Sequence, residues 1–133
     1  MITREDLESF LIRMDLEFSE LEDGMYLIRH RNGGPPIVIH HSDPLLLLRL
    51  KVMDLPEGDQ DLTELFRTLL TLNATDVVHG AYGIEEGEVI LSDTLELETL
   101  DFAEVQASIE SLQMAISSHL ERIKALAEQG GED

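Results

Sequence analysis

The histidines are the residues of this sequence best suited to metal chemistry, because neutral imidazole is a common metal ligand. His40 and His41 are adjacent, and neighbouring strand residues point to opposite faces, so their rings cannot converge on one ion without a bulge. His30, His79 and His119 are widely separated and form no metal-binding pair on a helix. We therefore predict no metal site. We interpret the adjacent pair as a strand end with one ring exposed, and the other three as surface or interface residues.

No other residue pattern supports a catalytic centre. The chain has no cysteine, which excludes disulfides and cysteine nucleophiles, and no serine lies in a Gly-x-Ser-x-Gly context. Carboxylates are so common that no acid and base are singled out, and Glu85, Glu86 and Glu88 are interpreted as a solvated turn. The glycines at 33–34 and 80–83 lack the neighbours of a phosphate-binding loop. We predict a domain that is not an enzyme and has no catalytic residues and no cofactor.

The charge balance restricts the class of partner. Aspartate and glutamate number 28 against 9 lysines and arginines, which gives a formal net charge of −19. Such a field repels a phosphate backbone and an anionic membrane surface, so neither nucleic acid nor membrane is a predicted partner. The N-terminus lacks the basic start of a signal peptide, and no apolar run reaches the roughly 18 residues of a membrane span. We expect a cytoplasmic protein.

The cations are distributed unevenly along the chain. Arg29, Arg31, Arg49 and Lys51 lie in the first half, and no lysine or arginine occurs between Arg67 and Arg122. This segregation could orient a partner or a second subunit. These cations could equally offset neighbouring carboxylates, and the sequence leaves both interpretations open.

Three segments show the apolar spacing of three and four residues that is typical of amphipathic helices. Thr3 is predicted to cap the first and Asp59 or Asp61 the second, whereas Asp101 and Glu104 form a capping box for the third. The third helix is the longest, at about seven turns. The apolar stripes are Leu7, Phe10, Leu11 and Met14 in the first helix, Leu62, Leu65, Phe66, Leu69 and Leu70 in the second, and Phe102, Val105, Ile109, Leu112, Ile116, Leu120 and Ile123 in the third.

Between these helices, alternating or short apolar runs bounded by turn residues are typical of strands. The Asp-Gly within 22–24 can supply the positive φ of a tight hairpin, and a second hairpin turn is predicted at 85–87. Residues 31–36 are rich in glycine and proline and are predicted to form a loop. Strands are predicted at 18–21, 25–30, 37–39, 45–52, 77–84 and 88–92, the last of them extended by Leu95 and Leu97.

The predicted fold class follows from the order of these elements. The order is α-β-β-β-(β)-α-β-β-α, and the turns are too short for parallel crossovers, so we predict an α+β fold with an antiparallel sheet and a long C-terminal helix. A chain of 133 residues fits one domain. We assign 1–129 to that domain and 130–133 to a flexible tail.

The surplus of apolar strand residues indicates a binding surface. The segments 37–39 and 45–48 are apolar on both strand faces, so either helices cover both sides of the sheet or one side awaits a partner. We interpret them as a surface that takes up a segment of another polypeptide through side-chain pockets or edge pairing. The predicted partner-binding residues are Ile37, Ile39, Leu46 and Leu48.

Two further hypotheses concern assembly and ligands. The second helix and the second hairpin contain more apolar residues than one small sheet needs, which indicates a homodimer. The alternative function is that of a small-ligand or signal-sensing regulatory domain, with a pocket between the sheet and the long helix.

Several local sequences resemble one known family. They are LLTLN at 69–73, GAYGI at 80–84, VIL at 89–91, LEL at 95–97 and the long terminal helix. Together with the order of elements, they are similar to the YbjN-type domains, which are relatives of the CesT/Tir-type type III secretion chaperones. The resemblance implies a chaperone-like fold and a small acidic dimer. It also implies binding of an extended peptide from another protein along the sheet and helix surfaces, without nucleotide hydrolysis.

Overall fold

The computed structural model describes residues 1–30 and 33–129, so Arg31, Asn32 and the predicted tail at 130–133 lie outside the described residues. Within them the chain forms three helices and six strands, and the predicted α+β order with its optional fourth strand is confirmed. The elements are α1 (Arg4–Arg13), β1 (Phe18–Glu22), β2 (Met25–Ile28), β3 (Ile37–Ser42), β4 (Leu45–Asp54), α2 (Thr63–Thr75), β5 (Ala81–Glu85), β6 (Glu88–Glu96) and α3 (Phe102–Gln129).

The six strands form one antiparallel sheet in the order β1-β2-β3-β4-β6-β5. The two longest strands, β4 and β6, pair at its centre, and α2 spans the interval in the chain between them. Strand β5 therefore takes the edge next to β6. Its backbone is partly occupied by α2, because the Asn73 side-chain amide accepts from Tyr82 N at 2.7 Å and donates to Tyr82 O at 3.1 Å.

The two hairpin turns need residues that tolerate positive φ. In the β1–β2 turn, Gly24 has φ of 78°, as the Asp-Gly pair predicts. A side chain there would also bring its Cβ to 3.0 Å from the carbonyl oxygen of His41. In the β5–β6 turn, both Glu86 (φ 50°) and Gly87 (φ 77°) are left-handed, which matches the twist of the flanking strands.

All three helices pack against the same face of the sheet. Leu7 and Leu11 of α1 and Leu65 of α2 are at most 1% exposed, and they share one core with the inward residues of the strands. Two contacts fix α1 at one end of this layer: Tyr26 Oη donates to Glu8 Oε2 at 2.8 Å, and Phe10 meets Phe102 edge to face. Each buried aliphatic side chain contributes on the order of 1.5–3 kcal/mol, so this face holds most of the burial energy.

The helix caps agree with the sequence in two of three cases. Thr3 caps α1, because its Oγ1 accepts from Asp6 N at 3.1 Å while its own N–H donates to Asp6 Oδ2 at 2.9 Å. At α3, Asp101 Oδ1 accepts from Glu104 N at 2.8 Å. The expected cap of α2 is corrected, because Leu62 occupies the N-cap. Asp61 precedes the N-cap by one residue, and its side chain accepts a hydrogen bond from Thr63 N at 3.0 Å.

Helix α3 is the longest element, with 28 residues. Its predicted stripe faces the core, where Val105, Ile109, Leu112, Ile116 and Ile123 are buried. In the part of the chain that the structure describes, no helix is both long and apolar enough to span a bilayer.

Candidate partner-binding surface

The four residues predicted to bind a partner lie on the covered face of the sheet. Ile37, Ile39, Leu46 and Leu48 are at most 1% exposed and belong to the core under the helices. The interpretation of these side chains as an accessible surface is therefore corrected, because strand alternation turns all four toward the helices. Their contribution to partner binding stays a prediction. In the folded protomer these side chains can act only indirectly, by fixing the positions of β3 and β4.

The opposite face of the same strands is open. Helices contact strands β4, β5 and β6, and the core side chains of these strands are buried on the covered face. The outward apolar side chains of β2, β3 and β4 are only half-buried. One cross-strand row places Val38 between Leu27 and Arg49, and the next places His40 between Met25 and Leu47. We call the following half-buried residues the open face: Met25, Leu27, Val38, His40, Leu45 and Leu47.

An ion-pair network borders the open face on the side of β6. Arg49 contacts Glu85 and, at 3.5 Å, Glu88, and Lys51 Nζ lies 2.9 Å from both Glu88 Oε2 and Asp54 Oδ1. The hydrogen bonds that Lys51 donates to Asp54 and then to Glu88 raise its pKa. These two cations thus offset carboxylates of their own chain, as one of the two sequence interpretations had it. The turn between β5 and β6 is correspondingly not a purely solvated one.

The adjacent histidines diverge, as the strand alternation predicts. His41 Nε2 lies 2.8 Å from the carbonyl oxygen of Ile2 and ties α1 to the sheet, whereas His40 lies on the open face. Across residues 1–30 and 33–129, no three His, Cys, Asp or Glu side chains are placed together as metal ligands would be.

One polar cluster was not anticipated. His119 is 6% exposed, which corrects its interpretation as a surface residue. Its Nδ1 lies 2.8 Å from Tyr82 Oη and its Nε2 lies 3.2 Å from Asp76 Oδ2. A neutral imidazole satisfies all three groups if the Tyr82 hydroxyl donates to Nδ1 and Nε2–H donates to Asp76. The cluster ties α2, β5 and α3 together, and its signal in the sequence is that His119 continues the apolar stripe of α3.

Burial and hydrogen bonding shift two pKa values in this cluster. Burial, and then the nearby Asp76 carboxylate, raises the pKa of Tyr82. The Thr75 hydroxyl, followed by the His119 ring, lowers the pKa of Asp76. At neutral pH the Tyr82 phenol is therefore protonated and Asp76 is ionised. Because Tyr82 is only 6% exposed, its hydroxyl is a structural group and is not accessible as a nucleophile.

Two of the cavities that adjoin the long helix bear on the ligand-sensing alternative. One of about 280 Å³ is lined by Met14, Leu16, His30 and residues of α3. The other, of about 820 Å³, lies between Met53 of β4 and Lys124 of α3, where the ligand-sensing alternative requires a pocket. Its volume falls within the roughly 300–1,000 Å³ that is usual for small-molecule sites, so the alternative stays a prediction.

Helix α2 also exposes apolar side chains. Phe66, Leu70 and Ala74 recur every four residues on its outer side, where Phe66 is 39% and Leu70 70% exposed. We call these three residues the α2 ridge. On the neighbouring edge strand β5, Ile84 is 46% exposed. A row spaced by four residues is the kind of ridge that packs into the groove of a second helix.

Comparisons with known proteins agree on the family and on the fold. The CesT_Tir_1 family model matches residues 2–129, whereas no curated protein sequence matches the chain. A chain of the heterodimeric ExoU–SpcU complex from the type III secretion system of Pseudomonas aeruginosa is similar in structure, with a TM-score of 0.68, 15% identity and coverage of 86% of this chain and 95% of that chain.

Two further solved structures share this fold. The crystal structure of YbjN from E. coli has a TM-score of 0.67 at 15% identity, over 91% of this chain and 93% of that chain. The Yersinia pestis type III secretion chaperone SycH, in complex with a stable fragment of YscM2, has a TM-score of 0.56 at 15% identity, over 93% and 99% respectively. With the family model matching nearly the whole length, the chain belongs to the CesT_Tir_1 family.

Proposed function

We propose that this chain is a non-enzymatic, chaperone-like module of the cytoplasm that binds a segment of another polypeptide across its open face. Similar structures are themselves complexes of two proteins, including the HopA1–SchA chaperone–effector complex and SycH with its YscM2 fragment. These comparisons support protein binding as the class of function. The surface that carries it here is inferred from this chain alone.

The observation that carries the proposal is an apolar sheet face that no helix within residues 1–30 and 33–129 covers. Five of the six open-face residues are methionine, leucine or valine, and they are half-buried on a chain of net charge −19. A contiguous apolar patch on a protein this charged is typical of an interaction site. The open sheet face is thus the side that awaits a partner.

The geometry suits a segment that contributes apolar side chains. The rows through Val38 and His40 cross three strands and leave side chains about 4.5–5.5 Å from their cross-strand neighbours. A partner side chain can lie between the rows, whereas the ion pairs of Arg49 and Lys51 form a polar rim. The buried residues Ile39 and Leu48 act indirectly, by holding β3 and β4 in this register.

The test is to place a charge on the open face and follow partner capture. Tagged Leu47→Asp chain should lose the proteins that co-purify with the unmodified chain from its native cells, because burying an unpaired carboxylate at the contact is costly. The matched control is Ile12→Asp, which adds the same charge at a 68% exposed position on α1. Circular dichroism should show that both variants are folded.

Equal capture by Leu47→Asp and the unmodified chain would remove the open face as the binding surface. Substitution of Ile39 or Leu46 by aspartate is not a usable test. Both side chains are fully buried, so a carboxylate there would unfold the chain and would abolish capture for an unrelated reason.

We also infer that two copies associate through the α2 ridge and Ile84. Phe66 and Leu70 are exposed on α2 and Ile84 is exposed on β5, and these two elements contact each other. Pairing of two such surfaces is self-complementary, as a symmetric dimer requires. It would also cover apolar area that is otherwise in water.

Sedimentation velocity tests this association. The unmodified chain should sediment at twice its 15.0 kDa mass, and Leu70→Asp should sediment as a monomer while Ile12→Asp remains dimeric. A single 15.0 kDa species for the unmodified chain at micromolar concentration would contradict the homodimer.

A further inference from the structure

A second groove lies on the helical side of the molecule, away from the open face. It runs between α3 and the connection from α2 to β5, with a volume of about 480 Å³. We call it the α3 groove, and the residues that the argument uses are Asp76, Val78, His79, Glu110, Ser111 and Met114.

The wall of the α3 groove is held in place by specific bonds. His79 N donates to Ser111 Oγ at 3.0 Å, and the Ser111 hydroxyl lies 3.3 Å from the His79 carbonyl oxygen. The next residue, Gly80, has φ of 91°, and a Cβ there would lie 2.5 Å from Ser92 O and 3.1 Å from Leu112 Cδ2. The connection is thus seated tightly between β6 and α3, and the groove exists before any partner arrives.

Two large apolar residues of this groove are among the most exposed large hydrophobic residues that the structure describes. Val78 is 79% exposed and Met114 is 69% exposed, and they line the same groove with the buried Ala115. Methionine is flexible and polarizable, so it adapts to apolar side chains of different shapes. The groove therefore offers contacts for an apolar side chain.

The lining of the α3 groove contains two carboxylates. These are Asp76 and Glu110, and no lysine or arginine is among the lining residues, which also include His79 and His119. The nearby Arg122 acts on Asp76 from outside the lining and adds, after the hydrogen bonds, to the lowering of its pKa. Asp76 is also oriented, because it accepts from Thr75 Oγ1 at 2.9 Å and lies 3.2 Å from His119 Nε2. These bonds lower the pKa of Asp76 and keep it ionised. An incoming cation would meet a negative charge already in position.

We propose that the α3 groove binds a cationic amphipathic segment of a partner polypeptide. An apolar side chain of the segment would pack between Val78 and Met114, and flanking lysines or arginines would pair with Asp76 and Glu110. The binding is reversible and non-covalent. It is separate from the open face, so this site stands or falls independently of the function proposed above.

Calorimetric titration of the full chain with a synthetic peptide of leucine and lysine, patterned as an amphipathic helix, tests the proposal. Met114→Glu should weaken binding roughly tenfold or more, even though it makes the groove more negative, because it removes the apolar contact. Ile12→Glu adds the same charge at a similarly exposed position and should leave the affinity unchanged. Glu110→Gln should also weaken binding, and that loss should shrink at high salt.

Methyl resonances locate the contact directly. The peptide should shift the Met114 and Val78 methyl signals and leave that of Ile12 in place. A peptide of leucine and glutamate should shift none of them. Leu47→Asp on the open face should keep the affinity for the leucine–lysine peptide.

Three results would overturn the proposal: equal affinities for Met114→Glu and Ile12→Glu, unshifted Met114 and Val78 methyl signals, or loss of binding in Leu47→Asp instead. The last would assign the peptide to the open face. A change in sedimentation of Met114→Glu alone would show that a second copy of the chain occupies the groove, which also excludes the cationic segment.

Discussion

The two faces of strands β3 and β4 both carry aliphatic residues and have opposite environments. On one face Ile39 and Leu48 are at most 1% exposed under the helices. On the other, Val38 and Leu47 are half-buried on the open face. Over 37–39 and 45–48 hydrophobicity does not distinguish these faces, and His40, Arg49 and Lys51 mark the open one. The difference comes from the three helices, which all pack on one side of a six-stranded sheet.

The faces also differ in how they treat polar groups. The covered side places the Tyr82 hydroxyl against His119 at 2.8 Å, so that both buried groups are satisfied. The open side keeps its charges at the border, where Arg49 and Lys51 are partly exposed and share Glu88. The covered side is therefore built for stability. The open side keeps an apolar centre within a polar rim, as an interface does.

Truncation of one leucine on each face should show the difference between the two faces most clearly. Leu48→Ala should lower the free energy of unfolding by about 2–5 kcal/mol, because it leaves a cavity in the core. Leu47→Ala should lower it by about 1 kcal/mol or less. Urea denaturation followed by circular dichroism measures both. Equal losses would show that the open face is buried in the molecule in solution, as it would be in a dimer formed through that face.

Removal of a tyrosine hydroxyl should have an intermediate effect. Tyr82→Phe deprives the buried His119 Nδ1 of its donor and should cost about 1–3 kcal/mol. Tyr26→Phe makes the same chemical change where the partner Glu8 is half-exposed and can be hydrated, so its cost should be smaller. Thermal denaturation of both variants checks the order, and a larger loss for Tyr26→Phe would reverse our assignment of the stabilising cluster.

Loss of the capping box of α1, one of the covering helices, should have the smallest effect on stability, and that effect should depend on pH. The Thr3 backbone N–H, and then its hydroxyl, lowers the pKa of Asp6 below its usual 3.8. The stabilisation is therefore present above about pH 4 and is lost as the pH falls through the lowered pKa. Asp6→Asn should reduce the melting temperature at neutral pH, and the difference should shrink below pH 4.

Glu5→Gln is the matched control for this titration, because it removes a carboxylate of the same first turn that lies outside the capping box. It should show little pH-dependent change relative to the unmodified chain. A constant difference between Asp6→Asn and the unmodified chain from pH 7 to acid would mean that the carboxylate charge does not contribute.

Local patterns were sufficient for most of the fold. Thr3 and Asp101 mark two helix starts, Gly24 and Gly87 mark two hairpin turns, and the spacing of the α3 stripe marks the longest helix. These signals depend on neighbours within a few residues, so they can be recognised without the tertiary structure. The cap of α2 was predicted wrongly, because Leu62, which has no side-chain acceptor, occupies the N-cap.

The candidate surface was predictable only in part. The sequence indicated that β3 and β4 carry more apolar residues than one covered face requires, and alternation divided them into two sets. Arg49 and Lys51 mark the odd-numbered face of β4 as the uncovered one, yet the prediction chose Ile37, Ile39, Leu46 and Leu48, which are the buried ones. The clustering of Tyr82, His119 and Asp76 could not be predicted from the sequence either, because these residues are up to 43 positions apart.

The sequence by itself determined the element order, the antiparallel sheet and the excess of apolar strand positions, because periodicity and turn chemistry are local. Only the tertiary structure decided how completely the helices cover one side of the sheet, and which polar groups share the interior. Both depend on where α1, α2 and α3 pack, and a helix can shield only the strand residues that point toward it. Val38 and Leu47 thus became surface, and His119 became core, through the placement of three helices.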